Sequence, residues 1–179
     1  MKGVVAVLAC CLGLAACGGS AATSATTSPS GTLYTNARYR FTVRYSPATF
    51  RPKATKPFAD TFFLQLIARN HSVVNIEVVA TNAQSVSNKL SNWHKGTLGT
   101  TSLNPWMQYV RPASTAYWTT LNGVRGITFQ WQGSDTTLLE RVLASGSELY
   151  DIEAIAPTKS WAAEAPKLEA VVQTFHVTQ

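Results

Sequence analysis

Three turn signals in the C-terminal half limit the fold of this chain most tightly: Asn122-Gly123, Gly133-Ser134 and Ser145-Gly146. They separate four strand-like runs, residues 114–121, 124–131, 136–144 and 147–156. Asn-Gly is the strongest short hairpin signal, because both central positions of a type I′ turn need positive φ. Loops this short join only antiparallel neighbours, since a parallel pair needs a crossover of about a dozen residues or more. The four runs are therefore expected to form an antiparallel meander. Glu140, Asp151 and Glu153 fall inside it. A two-residue loop at Ser145-Gly146 pairs Glu140 near Asp151 and leaves Glu153 two residues on, on the same face. Three carboxylates on one face suit a hard cation such as Ca2+, and the trio is the one candidate for a metal. The plainer alternative is a solvated or salt-bridged strand face, with Arg141 and Lys167 as compensation. No cofactor is expected.

Upstream, residues 39–45 alternate strictly. Phe41, Val43 and Tyr45 point one way; Arg40, Thr42 and Arg44 point the other, with Arg38 in phase. This is the pattern of a half-buried strand. Arg38, Arg40 and Arg44 are a candidate membrane or partner contact, or else the charged guard of an edge strand. Residues 50–57 carry two prolines and read as a basic loop. Residues 62–68 read as a strand buried on both faces, and 73–80 as its hairpin partner across an Asn70-His71 turn. Asn82 can cap a helix over about 83–95, with Val86, Leu90 and Trp93 on one stripe. After the meander, Pro157 and Thr158 lead into a helix ending near Gln173. Trp161, Leu168 and Val172 form its buried stripe, and Thr158 or Ser160 is its cap.

The aromatic residues offer a second candidate site. Trp106, Tyr109, Trp118 and Trp131 either pack in the core or line a cleft for an apolar ligand or a sugar. Catalytic residues are not expected. The chain has no Gly-rich phosphate loop, no His-x-x-x-His and no Gly-x-Ser-x-Gly, and His71, His94 and His176 are widely separated. All three cysteines, Cys10, Cys11 and Cys17, lie near the N-terminus, so the folded part has no disulfide or thiol nucleophile.

The formal charge of +6 is unevenly spread. From Arg38 to Arg125 there are eleven basic residues and two acids, Asp60 and Glu77; after Arg125 there are three basic residues and seven acids. A basic half near a membrane would be drawn to anionic headgroups at about 1 kcal/mol per nearby cation. Nucleic acid is not an expected partner, because no dense basic helix is present.

The N-terminus carries a targeting pattern. Lys2 is followed by thirteen apolar or small residues, 4–16, too few to span a bilayer, where about 20 are needed. Leu14-Ala15-Ala16-Cys17 resembles the lipobox of bacterial lipoproteins. That resemblance implies a signal peptide over 1–16, cleavage before Cys17, and a thioether-linked diacylglycerol with palmitate-type chains on Cys17. Two acyl chains anchor stably where one binds only reversibly. Residues 17–32 are rich in Gly, Ser, Ala and Thr and read as a tether, with a reach of roughly 20 Å. The expected place is the extracytoplasmic face of the cell membrane.

Three stretches of residues 33–179 resemble PsbP-like domains. They are Tyr39-Arg-Phe-Thr-Val-Arg-Tyr-Ser-Pro-Ala-Thr-Phe50, Leu121-Asn-Gly-Val-Arg-Gly-Ile-Thr-Phe129, and Ala154-Ile-Ala-Pro-Thr-Lys-Ser-Trp161 with its helix and Phe175. Among these domains, the chain is more similar to actinobacterial lipoproteins of the LpqN type than to the photosynthetic subunits. The resemblance implies an α+β fold, an antiparallel β-sheet flanked by helices in an α/β/α sandwich. It also implies binding or assembly rather than catalysis. The leading expectation is a non-catalytic envelope lipoprotein that binds an envelope protein or lipid. The alternatives are a lipid or glycolipid carrier using an aromatic cleft, and a hydrolase.

Overall fold

The computed structural model describes residues 24–28, 31–58, 61–80, 88, 91, 111–112 and 116–179. Among them lie two antiparallel sheets. The larger is built around the expected meander: β8 (Tyr117–Leu121), β9 (Val124–Gln132), β10 (Thr136–Ser145) and β11 (Glu148–Pro157). Asn122 and Gly123 both have positive φ, 47° and 85°, as a type I′ turn requires. The hairpin of β5 (Thr61–Ala68) and β6 (Val73–Ala80) joins through the β6–β11 pairing. His71 sits exposed in its turn at φ 65°.

Residues 50–57, expected as a loop, belong to β4 (Phe50–Phe58). This strand pairs with β5 at the outer edge of the sheet, in the order β4-β5-β6-β11-β10-β9-β7, where β7 is Arg111–Pro112 and β8 also pairs with β9. An outer strand can carry proline because one row of its N–H groups needs no ladder partner.

The smaller sheet runs β1 (Ser24–Ser28), β2 (Gly31–Asn36), β3 (Phe41–Tyr45) and β12 (His176–Val177). Part of the expected tether is thus a strand: Ser24 to Ser28 pair with Thr35 to Gly31. Backbone pairing needs no apolar side chain, which is why composition alone reads this stretch as linker. Strand β3 alternates as expected, but it lies between β2 and β12 rather than at an edge.

Helix α1 (Trp161–Val172) follows a short 3-10 turn, Thr158–Ser160. Its buried residues are Leu168, Val171 and Val172; Trp161 is only half-buried. Ser160 holds the N-cap position but makes no capping bond, because its hydroxyl donates to the Pro157 carbonyl instead. Asn88 and Ser91 are helical; the rest of the expected 83–95 helix, with Val86, Leu90, Trp93 and His94, lies outside the described residues. Among the described residues, no helix is long and apolar enough to cross a membrane.

The main core joins the small sheet, one face of the large sheet and α1. Phe41 lies between Tyr34, Phe62 and Phe175 at ring separations of 5.5–5.9 Å, with Leu64, Ile76, Tyr150, Ile152 and Leu168 buried in the same cluster. The opposite face of the large sheet carries a second apolar cluster: Ile127, Phe129, Trp131, Leu138, Val142 and Leu149. The polar residues of interest share this second face.

Candidate functional site: a buried carboxylate cluster on the sheet

Side chains on a strand alternate faces, so register decides which groups meet. Ser145 pairs with Glu148, so the β10–β11 loop is Gly146-Ser147 rather than Ser145-Gly146. Moving the loop by one residue moves the pairing by two. Glu140 therefore stands opposite Glu153, and Asp151 stands opposite Val142. The expected grouping survives, because residues two apart on β11 keep the same face.

Two rows now cross the sheet side by side. One runs Gln65, Asn75, Glu153, Glu140, Phe129; the next runs Phe63, Glu77, Asp151, Val142, Ile127. Along the first row, Gln65 Nε2 donates to Asn75 Oδ1 at 3.2 Å, and Asn75 Nδ2 donates to Glu153 Oε2 at 2.8 Å. From the opposite side of that row, Trp131, which faces Leu138, donates its Nε1 to Glu140 Oε2 at 2.8 Å. Glu140, Asp151 and Glu153 are only 4%, 3% and 4% exposed. One carboxylate oxygen from each lies within 4.8 Å of the others. Asp151 Oδ1 is buried and, among the described residues, accepts no hydrogen bond.

Burial and mutual repulsion both disfavour the ionised forms here. Burial, then the neighbouring Glu153, pushes Glu140 well above the carboxylate range, although its bonds with Trp131 and Asp151 oppose this. Burial pushes Asp151 in the same direction, aided by Glu140, Glu153 and Glu77. Glu77, less enclosed, is raised to about 7 by burial and by Glu153.

The compensation expected from Arg141 and Lys167 is absent at this site. Arg141 projects from the other face of β10 and grips Glu169 of α1 with two bonds of 2.7 Å. Lys167 bonds Glu164 at 2.9 Å, one turn away on α1. Among the described residues, no cation accounts for Glu140 or Asp151.

The aromatic candidates divide. Trp131 is buried and committed to Glu140. Trp118 is 41% exposed and lies against Arg125, whose guanidinium carbon is 4.2 Å from the ring centroid. Trp106 and Tyr109 lie outside the described residues, so the expected cleft is described only at these two rings. The arginine candidates divide as well. Arg44 lies on β3, whereas Arg38 and Arg40 occupy the preceding turn, where Arg40 has φ 49°. Arg40 pairs with Glu148, and Arg38 sits over the Tyr39 ring at 5.4 Å. The three therefore do not form one strand face, because the turn breaks the alternation before Phe41. His71 and His176 are both exposed, at separate ends of the molecule's chain order.

Sequence reasoning missed Asn75, Gln65 and Glu77. The signal was present: three polar side chains at alternate positions of otherwise apolar strands mark one shared face.

No protein-family model matches the chain, and no curated protein matches it. Among solved structures, it is similar to cyanobacterial PsbP (CyanoP) from Synechocystis sp. PCC 6803, with a TM-score of 0.62 and 13% identity. The match covers 92% of this chain and 98% of that one. A Bacteroides thetaiotaomicron protein overlaps at a TM-score of 0.47 and 14% identity, over 78% of this chain and 46% of its own. The first likeness establishes a PsbP-like fold, antiparallel sheets with a helix packed on one face, and speaks for the fold alone.

Proposed function

We propose that the chain is a lipid-anchored lipoprotein of the cell envelope, whose PsbP-like domain is a non-catalytic binding or assembly module on the extracytoplasmic face. The observation that carries this reading is Cys17 directly after Leu14-Ala15-Ala16, at the end of a short apolar run. A cysteine in that setting is an acylation site, and diacylation holds a domain at a membrane without any spanning segment. The PsbP-like fold supports a binding role as an analogy of fold, as does the LpqN-type resemblance of the lipobox and domain together. The partners are then the membrane, through diacylglyceryl-Cys17, and an envelope protein or lipid.

The test is to express the full chain in a bacterium, isolate the membranes and determine the mass of the N-terminal peptide. The expected product begins at Cys17 and carries a diacylglycerol; Cys17→Ser keeps residues 1–16 and loses the lipid mass. A wild-type chain that begins elsewhere, or carries no lipid, overturns the reading.

One observation favours a second reading. Tyr117 and Trp118 are large hydrophobic residues left 53% and 41% exposed. Exposed aromatics of this kind suit a carrier or sensor of lipid or glycolipid. Native mass spectrometry of the chain purified from the envelope would then retain a lipid mass. A bare mass would remove this second reading.

A further inference from the structure

We propose that Glu140, Asp151 and Glu153 form a binding site for a hard divalent cation of the Ca2+ class, seated on the second face of the large sheet. The inference is independent of lipid anchoring.

Geometry comes first. Two oxygens on opposite sides of one Ca2+ are about 4.6–5.2 Å apart, twice the usual Ca–O distance. The three carboxylates each bring an oxygen within 4.8 Å of the others. One ion can thus touch all three without moving a strand. They project from β10 and β11, the centre of the sheet, so their positions are fixed by backbone pairing rather than by a loop.

The second observation is Asp151. Asp151 is 3% exposed, and among the described residues no N–H or hydroxyl reaches its Oδ1. A buried acceptor without a donor costs about 1–3 kcal/mol. A cation bound through Oδ1 removes that cost, and its charge offsets the repulsion between Glu140 and its neighbours. Asn75 and Trp131 act around the site: their donated bonds at 2.8 Å orient Glu153 and Glu140. Hydrogen bonds that fix ligand orientation are a regular feature of metal sites.

Chemistry selects the ion class. The donors are carboxylate oxygens, with the amide residues Asn75 and Gln65 in the adjoining positions and no thiolate or imidazole in the group. Oxygen donors favour Ca2+, Mn2+ or Mg2+ over softer ions. Three oxygens 4.8 Å apart lie about 2.8 Å from a common centre, so a small inward turn of the side chains reaches the roughly 2.3–2.6 Å of Ca2+, whereas Mg2+ at about 2.0–2.1 Å from each oxygen requires a tighter set.

Protons and cation compete for the same oxygens. The titratable and charged groups on this face, among the described residues, are Glu77, Glu140, Asp151 and Glu153, with Arg51 and Lys53 exposed on the outer strand β4 beyond β5 and β6; Arg125 shares the face but lies against Trp118. Raising the pH therefore strengthens binding.

The experiment uses the full chain, solubilised in detergent, treated with EDTA and dialysed. Calorimetric titration with CaCl2, MnCl2, MgCl2 and ZnCl2 is run beside thermal unfolding. Tb3+ emission excited through tryptophan reports the place, since the Trp131 indole is bonded to Glu140. The expected result is one saturable Ca2+ site, a rise in Tm with Ca2+, and Tb3+ emission that Ca2+ displaces. Asp151→Asn and Glu140→Gln should each weaken Ca2+ binding on the order of a hundredfold, because affinity follows ligand charge count. Trp131→Phe should abolish the sensitised emission. Absence of both saturable Ca2+ binding and Ca2+-displaceable emission in the wild-type chain overturns the proposal. So does saturable binding of Zn2+ alone. If a carboxylate variant fails to fold, the wild-type titration and emission still decide.

Discussion

Gly126 tolerates no side chain, and the reason is backbone proximity. It sits mid-strand on β9 opposite Leu143. A Cβ there would lie 2.2 Å from the Val142 carbonyl oxygen and 2.9 Å from Leu143 Cα. Neither is the free end of a flexible side chain, so the strands themselves must part. Gly126→Ala should cost about 3 kcal/mol, the upper end of ordinary overpacking. Urea unfolding of the full chain would show it as a lower midpoint at unchanged slope; a midpoint equal to wild type would refute it. An isolated glycine inside an apolar strand run signals such close approach, so this feature was open to reading from the sequence. The carboxylate trio was legible for a similar reason, since faces follow from parity. Which pair stands opposite was not, because Ser145-Gly146 and Gly146-Ser147 are both plausible two-residue loops. The structure uses the second, with Gly146 at φ 59°.

At the scale of elements, apolar runs and turn residues identified what sits in the middle of the large sheet and misread what sits at its edge. Strands β5, β6 and β9 to β11 are largely buried, and the apolar runs that burial requires, set off by turn residues, make them recognisable; β5, expected to be buried on both faces, alternates instead, with Phe63, Gln65 and Ile67 only half-buried. Strand β4 buries Phe50 at its start but has Arg51, Pro52, Lys53 and Lys56 exposed, so no apolar alternation marks its register. Proline and lysine there serve an outer strand by discouraging pairing with another chain, and the same residues in a sequence resemble a loop. The connection between hairpin and helix was also hidden, because it runs between side chain and backbone. Asn122 Nδ2 donates to the carbonyls of Gln173 at 2.9 Å and Phe175 at 2.7 Å, binding the β8–β9 turn to the end of α1. Losing both bonds should cost about 1–3 kcal/mol. Asn122→Gly keeps the turn geometry and should lose only that. Asn122→Ala should lose roughly 1–2 kcal/mol more, since alanine is strained at positive φ. Equal stabilities for the two variants would show that turn strain contributes nothing.

For the whole molecule, the large sheet has one apolar face and one face with carboxylates among apolar neighbours, and this asymmetry sets how stability answers to pH. Glu140 and Asp151 are raised well above their ordinary values of 4.5 and 3.8, and Glu77 from 4.5 to about 7. In the unfolded chain these groups release their protons at ordinary values. Between about pH 4.5 and 7 the native protein therefore holds more protons than the unfolded chain. Stability contributed by these groups is complete below the ordinary values and declines as pH rises through the folded ones. Glu169 acts in the opposite sense: burial pulls it up, but the bonds from Arg141 and Gln173 bring it below its ordinary value. Its contribution is present above the unfolded value and is lost on acidification. The two trends place the stability maximum of the cation-free protein in mild acid. Thermal unfolding in EDTA should show Tm falling as pH is raised from about 5 to 8, across the window that Glu77 defines. Glu140→Gln should flatten that fall, because a neutral amide has no proton to lose. A Tm that stays level or climbs over this window would mean that the cluster is solvated in solution. If the cluster also takes Ca2+, saturating Ca2+ should reverse the slope, because the cation binds best where the protons have left.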